Sequence, residues 1–531
     1  MNTKPLYRYI LTLIIIAGIL FRLYWVFFHF THYDDVGFIN CLVRLSSEQK
    51  PFINFLEYGW TYAPLQVFFS KILVNPSFPY IFNIALGRFP SFLAGSASIL
   101  LTYSLIKKSF SYSDFKKPIL VIAVAIIASS WENIIYSAQA EPYEIGVLAV
   151  LALTIYFQGF CGGKAFSMPW LITLSASAFY SQYHSVIILA SLYFSMFVQA
   201  NKKDKIRLVC SGVVSGLLSL PLICTFLDKG LLERGVNWNA GINGRFLFPF
   251  EYTNIHDLIS VKTIKWFVDN AYTYLHVFFV SNQFNAWTKI LTIILGAACL
   301  FGLVHIHRKN KWLALYLDLI ALEFIGLVLM KKLTFSPSRH TLIFYPLVLL
   351  VLCYGIEWCL SLGKKRYTWL LAVWGFLMAG AYLQSTVTEI PLRHNLLLSG
   401  IAEEYIEKYQ PKGIIAYYGF DPQLMDFPFY HRTGNPQLHM SAYVKEEPAK
   451  SRYVMVLGVG KAISQIGQAR IAQIGEEFPD LAGDIFTDQE SIMRYAVDCY
   501  EQDTHTEVEY GSRYFSNIPH GLYIYILDTG K

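Results

Sequence analysis

Charge is what this sequence has least of. Of its 531 residues, 15% are Asp, Glu, Lys or Arg, 54% are hydrophobic, and the mean hydropathy is +0.40. Soluble globular domains carry about 25% charged residues. A chain this poor in charge cannot clothe a water-exposed surface, which excludes a soluble enzyme, a nucleic-acid-binding protein and a disordered scaffold. Paired cysteines are also missing. The eight cysteines (Cys41, Cys161, Cys210, Cys224, Cys299, Cys353, Cys359 and Cys499) include no CxxC pair, and most lie inside apolar runs. That argues against a disulfide framework or a structural zinc site. A cleavage pattern is lacking too: the first apolar run, Tyr9 to Phe30, is longer than a signal-peptide core and no small-residue site follows it. It predicts an uncleaved signal anchor.

What is present is a series of apolar runs. A hydrocarbon core of about 30 Å needs roughly 20 apolar residues per helix. Eleven spans are expected, starting near Tyr9, Tyr80, Pro118, Tyr143, Met168, Ser185, Leu208, Trp287, Trp312, Thr341 and Thr368. The basic clusters test that count. Lys4 and Arg8, Lys107 to Lys117, Lys164, Lys202 to Arg207, Arg308 to Lys311 and Lys364 to Arg366 all fall on one side under strict alternation. The positive-inside rule makes that side the cytoplasm, with the N-terminus there. The net charge of +6 is therefore a sum of opposed parts, because from Thr386 onward 20 acidic residues face 12 basic ones.

The expected domains are a membrane body over residues 1–385 and an extracytoplasmic α/β domain over 386–531. Two loops of the body also lie outside, at 31–79 and about 227–286. In the second domain a helical pattern (IAEEYIEKY) alternates with strand patterns (GIIAYYGF, YVMVLGVG, LYIYIL). About 145 residues are enough for an independent domain.

Candidate chemistry gathers on the outer side. The first outer loop opens HYDDVGFIN, placing Asp34 and Asp35 about four residues past the first span. They either cap a following helix against water, or act at the interface as a general base and an anchor for a cation. Their side chains diverge on helix or strand, so a division of labour is expected rather than a shared proton. Cations on this side are unusual: Arg88 in NIALGRFPSFLAG, and Arg339 with His340 in TFSPSRHTLIFYP, preceded by Lys331 and Lys332. Arg22 lies inside the first span. Each alone reads as a snorkelling or ion-paired side chain. Together on the face of the acid pair they read as a site for an anionic group such as a lipid phosphate.

Glu141 and Tyr143 flank Pro142 in the turn YSAQAEPYEIG, where proline suits the first turn of a helix and glutamate favours its dipole. His184, in FYSQYHSVII, occupies the next outer turn, as a structural histidine or a ligand contact. Aromatics such as Tyr58, Trp60 and Tyr62 crowd the outer segments, as an interfacial belt or as platforms for a sugar ring. Tyr62, Glu141, Tyr143, His184 and His340 are the expected substrate contacts.

In order and spacing these segments resemble the GT-C class of integral-membrane glycosyltransferases. That class includes protein O-mannosyltransferases, lipid A aminoarabinose transferases and bacterial lipopolysaccharide-core transferases. An acidic pair follows the signal anchor, and YAPLQVFFSKIL comes about 30 residues on. GRFPSFLAGSASILLTYSLIKK resembles that class's Arg-Leu-Pro-Ser-x-Leu-x-Gly helix, YSAQAEPYEIGVLAVLAL its turn into the fourth helix, and SRHTLIFYPLVLLVL its late Arg-Tyr/His-Leu helix. IIAYYGFDPQLMDFPFY resembles an early strand of its outer domain. There are two departures. The pair is Asp34-Asp35 where the family has Asp-Glu, and Tyr62-Ala63-Pro64-Leu65 stands for the family's His-Pro-Pro-Leu, so no histidine role is inherited there.

The resemblance implies an inverting transferase on the outer face of a bacterial cytoplasmic (inner) membrane. Its donor would be a polyprenyl-phosphate-linked sugar, and its acceptor a lipid, glycan or protein hydroxyl. Asp34 would be the base, and Asp35 would orient the acceptor or hold a divalent metal ion, with metal dependence left open. Arg88, Arg339 and Lys332 would neutralise the departing phosphate. The competing readings are a flippase of lipid-linked sugars, an O-antigen-ligase-like transferase and a non-catalytic assembly protein. A flippase would show repeats or mid-membrane broken pairs, and the sequence shows no internal repeat.

Overall fold

The computed structural model describes residues 4–28, 38, 42, 64–75, 77–78, 80–228, 260–280, 285–335 and 339–363, and six strand segments between 413 and 528. The chain divides into two compact units. One comprises Met1–Phe27, Cys41–Pro76 and Ala85–Thr388; the other comprises Phe28–Asn40, Ser77–Ile84 and Glu389–Lys531.

The first unit is a helical bundle. In chain order it contains α1 (Lys4–Phe28), α2 (Pro64–Leu73), α3 (Tyr80–Ser109), α4 (Lys116–Ser129), α5 (Trp131–Ser137) and α6 (Tyr143–Cys161). These are followed by α7 (Met168–Ser181), α8 (Ser185–Gln199), α9 (Lys202–Asp228), α10 (Val261–Phe279), α11 (Ala286–Lys309), α12 (Lys311–Leu329) and α13 (Tyr345–Gly363). Among the described residues seven helical segments are long and apolar enough to cross a membrane, in α1, α3, α6, α9, α11, α12 and Leu342–Leu362. The α4–α5 pair, bent by 52°, makes an eighth if counted as one span. The protein is thus a multi-pass membrane protein.

Two expected spans come out differently. The helices starting at Met168 and Ser185 have 14 and 15 residues. At about 1.5 Å per residue each reaches only ~21–23 Å, short of a hydrocarbon core. Both are apolar on two faces: Leu171, Ala178, Ile188 and Leu192 are fully buried, whereas Trp170, Val186 and Phe194 are exposed. As a pair, α7 and α8 still return the chain to the end it left. The expected eleventh span, from Thr368, lies outside the described residues.

Outward faces of the long helices are apolar. On α9 the exposed residues Ile206, Val209, Val213, Leu217 and Leu220 repeat at helical spacing, and Ile290, Ile293 and Phe301 do so on α11. Stripes of this kind suit lipid and would aggregate in water.

Inward faces are held by close backbone approach and by a few buried polar groups. Gly302 of α11 and Gly355 of α13 meet back to back: a Cβ on Gly302 would strike the Val351 carbonyl, and one on Gly355 the Ala298 carbonyl. With no side chain between them, the helices gain contact that lipid cannot offer. Gly18 of α1 sits against Ala128, and Gly95 of α3 against Ser137 and the Arg22 guanidinium.

Arg22 is the main polar tie. The helix breaks at Ser130, so the carbonyls of Ile127 and Ala128 lose their intrahelical donors. Arg22 supplies them from α1: Nη2 donates to Ile127 O at 2.8 Å and Nη1 to Ala128 O at 3.0 Å. Nε donates to Ser137 Oγ at 3.1 Å, tying α5 to the same side chain. Ser130 Oγ bonds Phe278 O of α10, completing the knot.

The two ends of the bundle differ. At one end Lys108 Nζ donates to Ile155 O at 2.8 Å, Ser109 pairs with Gln158, Cys161 Sγ bonds Gln199, and Glu357 receives His305 and Lys309. This end carries the lysine clusters. At the opposite end lie the α5–α6, α7–α8 and α12–α13 turns.

The second unit contains a six-stranded mixed sheet among its described residues: β1 (Gly413–Tyr417), β2 (Phe429–Asn435), β3 (Met440–Lys445), β4 (Tyr453–Val459), β5 (Arg513–Phe515) and β6 (Leu522–Asp528), in the order β2-β3-β1-β4-β6-β5. β1 pairs in parallel with β4 from Gly413–Val454 to Tyr417–Gly458, and the other pairs are antiparallel. The apolar runs of β1, β4 and β6 suit its central strands. The three expected strands form in place. The expected helix IAEEYIEKY lies outside the described residues.

Arg22→Met leaves the Ile127 and Ala128 carbonyls buried without donors, at about 1–3 kcal/mol for each. In detergent the variant is expected to melt well below the native protein. Arg22→Lys, with a single ammonium in place of a fork, should recover only part of the loss. A melting temperature for Arg22→Met equal to the native one would contradict this role.

Candidate functional site

Three turns converge at the lysine-poor end. The first follows α5, where Glu141 and Pro142 lead into α6 with Pro142 at its N-cap position. The second joins α7 to α8 through Gln182, Tyr183 and His184. The third precedes the short 3-10 turn Leu342–Phe344 and carries Arg339 and His340.

Their side chains meet. Arg339 Nη1 lies 2.7 Å from Glu141 Oε1, an ion pair whose carboxylate is 3% exposed and whose guanidinium is 32% exposed. The same guanidinium stands 5.8 Å from the Tyr143 ring centroid, within cation–π range. His340 packs edge-on to Tyr143 at 5.9 Å and lies 5.6 Å from the His184 ring. Gln182 braces the two turns: its amide nitrogen lies 3.3 Å from the His340 carbonyl and 3.4 Å from His184 Nδ1. Gly146 makes room for Gln182, whose Oε1 would lie 2.8 Å from an added Cβ.

Electrostatics follow from burial. His184 is held well below its ordinary pKa, first by burial and second by the neighbouring His340 charge. A neutral imidazole at position 184 can donate and accept at once, whereas Arg339 stays charged. The arrangement combines a fixed cation, a buried carboxylate, a neutral imidazole and an aromatic face at the rim of a membrane bundle. Such a set has the chemistry to bind an anionic group and the polar edge of a ligand.

Of the expected site residues, Glu141, Tyr143, His184, Arg339 and His340 are brought together. Arg88 is placed otherwise. It is 1% exposed, and its Nη1 donates to Val26 O at 3.1 Å, fastening α3 to the end of α1. Lys332 is exposed just beyond α12, where Lys331 turns the chain at φ 56° and the Lys332 amide closes on Leu327 O. Asp34, Asp35 and Tyr62 lie outside the described residues. Among the described residues no group of three or more His, Cys, Asp or Glu side chains is arranged to hold a metal ion.

Sequence reasoning passed over Gln66 and Ser91. Both are fully buried. Ser91 Oγ donates to Glu141 O at 2.7 Å and lies 3.2 Å from Gln66 Oε1, while Gln66 Nε2 donates to Gly87 O at 3.0 Å. Their signal was a lone amide in the apolar segment PLQVFF and a serine directly after Pro90.

No protein-family profile matches the chain, and no curated protein does. Among solved structures, the chain is similar to the Archaeoglobus fulgidus oligosaccharyltransferase. Against its apo form the identity is 12% over 72% of this chain and 55% of that one, with a TM-score of 0.43. Against the form tethered through a disulfide bond to an acceptor peptide containing the NVT sequon, the identity is 13% over 73% and 55%, with a TM-score of 0.43. The chain spans 55% of the length of the protein it matches.

Because folding lowers the His184 pKa, the unfolded chain takes up a proton first as pH falls. This contribution to stability is complete above about pH 6.5 and shrinks below it. The melting temperature is expected to drop between pH 7 and 5, and His184→Asn should flatten that slope. An unchanged slope in the variant would assign the drop to other groups.

Proposed function

We propose that the protein is an inverting glycosyltransferase that moves a sugar from a polyprenyl-phosphate carrier to an acceptor hydroxyl at the outer face of a bacterial cytoplasmic membrane. The observation that carries this reading is the Arg339–Glu141 pair, a partly exposed guanidinium anchored by a buried carboxylate at the lysine-poor end of the bundle. The GT-C resemblance of the segments that supply it adds to this. A glycosyl phosphate reacts by losing its phosphate, and that leaving group is a weak base. It needs charge stabilisation more than protonation. A guanidinium meets phosphate oxygens in a fixed fork. Anchored by Glu141, Arg339 is positioned before the donor arrives and gives up little freedom on binding it.

On this reading Asp34 removes the proton from the acceptor hydroxyl as its oxygen attacks the anomeric carbon, and the carbon–phosphate oxygen bond breaks with inversion. Asp35 orients the acceptor. Lys332 lies on the segment that leads to Arg339 and adds positive charge near the leaving group. Arg88, bonded to Val26, fixes the end of α1 from which Asp34 and Asp35 follow. Tyr62, Tyr143, His184 and His340 shape the sugar and acceptor contacts. The lysine-rich end faces the cytoplasm, and residues 386–531 stand outside. The acceptor is a lipid, glycan or protein.

A strain lacking the gene is expected to accumulate one polyprenyl-phosphate sugar in its lipid extract and to lose one sugar from a surface glycan, both read by mass spectrometry. Asp34→Asn, present in the membrane at native level, should fail to restore either. Restoration by that variant would sink the base assignment; unchanged lipids and glycans in the deletion strain would sink the reaction.

A further inference from the structure

α2 is an amphipathic helix turned unusually. Its polar residues Gln66 and Ser70 are fully buried, whereas Phe68, Phe69 and Ile72 are exposed. The buried polar face is fully engaged. Gln66 Nε2 donates to Gly87 O at 3.0 Å and lies 3.2 Å from Ser70 Oγ, which itself donates to Gly87 O at 2.9 Å. Two donors on one carbonyl lock α2 against α3 one turn before Ser91. From there the chain of contacts continues. Ser91 Oγ is shared between Gln66 Oε1 at 3.2 Å and the Glu141 carbonyl at 2.7 Å, and Glu141 Oε1 holds Arg339 at 2.7 Å.

We infer that Gln66 is a positioning residue for the anion site, acting through Ser91 and Glu141 on Arg339. The inference rests on the reading of Arg339 as the phosphate-binding group, and it names what fixes that group in place. The links from Gln66 through Ser91 to Glu141 are buried, so their geometry is set by a small number of donors and acceptors. Ser91 bonds the backbone of Glu141, so moving Ser91 shifts the residue itself and not merely its rotamer. The relay from Gln66 thus runs from α2 through α3 and the α5–α6 turn to the α12–α13 turn. Gln66→Leu keeps the volume and removes the donor and acceptor together.

Two measurements separate the parts of this inference. In nanodiscs, binding of undecaprenyl phosphate is read as the concentration giving half the maximal thermal shift. Arg339→Ala is expected to raise it about tenfold and Gln66→Leu about fivefold, the scale of one charge-assisted and one neutral hydrogen bond. The double variant should be no weaker than Arg339→Ala alone, because a residue that acts through Arg339 has nothing left to position. Equal factors for Gln66→Leu in both backgrounds would overturn the relay and leave Gln66 a general stabiliser. Backbone amide exchange gives the ligand-free test. Gln66→Leu should speed exchange over residues 139–146 and 339–345 while leaving α11 and α13 beyond Leu347 unchanged. Unaltered exchange at both turns overturns the relay whatever Arg339 binds. Altered exchange with Arg339→Ala binding normally would instead overturn the phosphate reading and leave the relay standing.

Discussion

The bundle depends on one buried guanidinium. A helix broken inside a membrane leaves carbonyls that water cannot reach, and at the Ser130 break two of them are answered by Arg22. The same side chain reaches Ser137 beyond the break, so α1, α4 and α5 are fixed in one place. Gly95 lets α3 close on this point because any side chain there would meet Ser137. Everything nearer the lysine-poor end is built on that arrangement. α5 leads to Glu141, and α3 brings Ser91 to the Glu141 carbonyl. Arg22 thus fixes the helices from which the site's turns depart.

Charge is then divided by end. Cations at the lysine-rich end are spent on helix termini and clips, such as Lys108 on Ile155 and Lys309 on Glu357. At the other end Arg339 is held by a buried carboxylate. A guanidinium fixed by a buried acid, with a third of its surface open, differs from a snorkelling side chain that trades one headgroup for another. On the proposed reading that difference is functional: the donor phosphate meets a charge already in position, and the neutral His184 beside it adds hydrogen bonding without adding charge.

Much of this was legible in the sequence, and what was not has physical reasons. Hydropathy and basic clusters placed the long helices and put the turns at Glu141, His184 and Arg339 at one end, while α2 and α10 fall in the expected outer loops. That these turns touch is what the structure adds. Hydropathy registers apolar content and not where a helix stops, so α7 and α8 read as spans although they have only 14 and 15 residues. Nor could it show the bend at Ser130, because a serine between two apolar runs reads like any other. Arg22 was visible as an anomaly, but its partners are carbonyls, which every residue has. Gln66 and Ser91 escaped for the same reason, since a small buried polar group in an apolar run carries no period. Asp34, Asp35 and Tyr62 lie outside the described residues and stand on the sequence alone.

The central claim is that the lysine-poor end receives a lipid-linked phosphate. A photoreactive undecaprenyl phosphate, bearing its crosslinker beside the phosphate, tests it most directly in nanodiscs. Crosslinked peptides mapped by mass spectrometry are expected to fall within residues 139–146, 182–186 and 339–345, and to diminish in Arg339→Ala. Crosslinks confined to residues 107–117, 162–167 and 308–311, unaffected by that substitution, would contradict it.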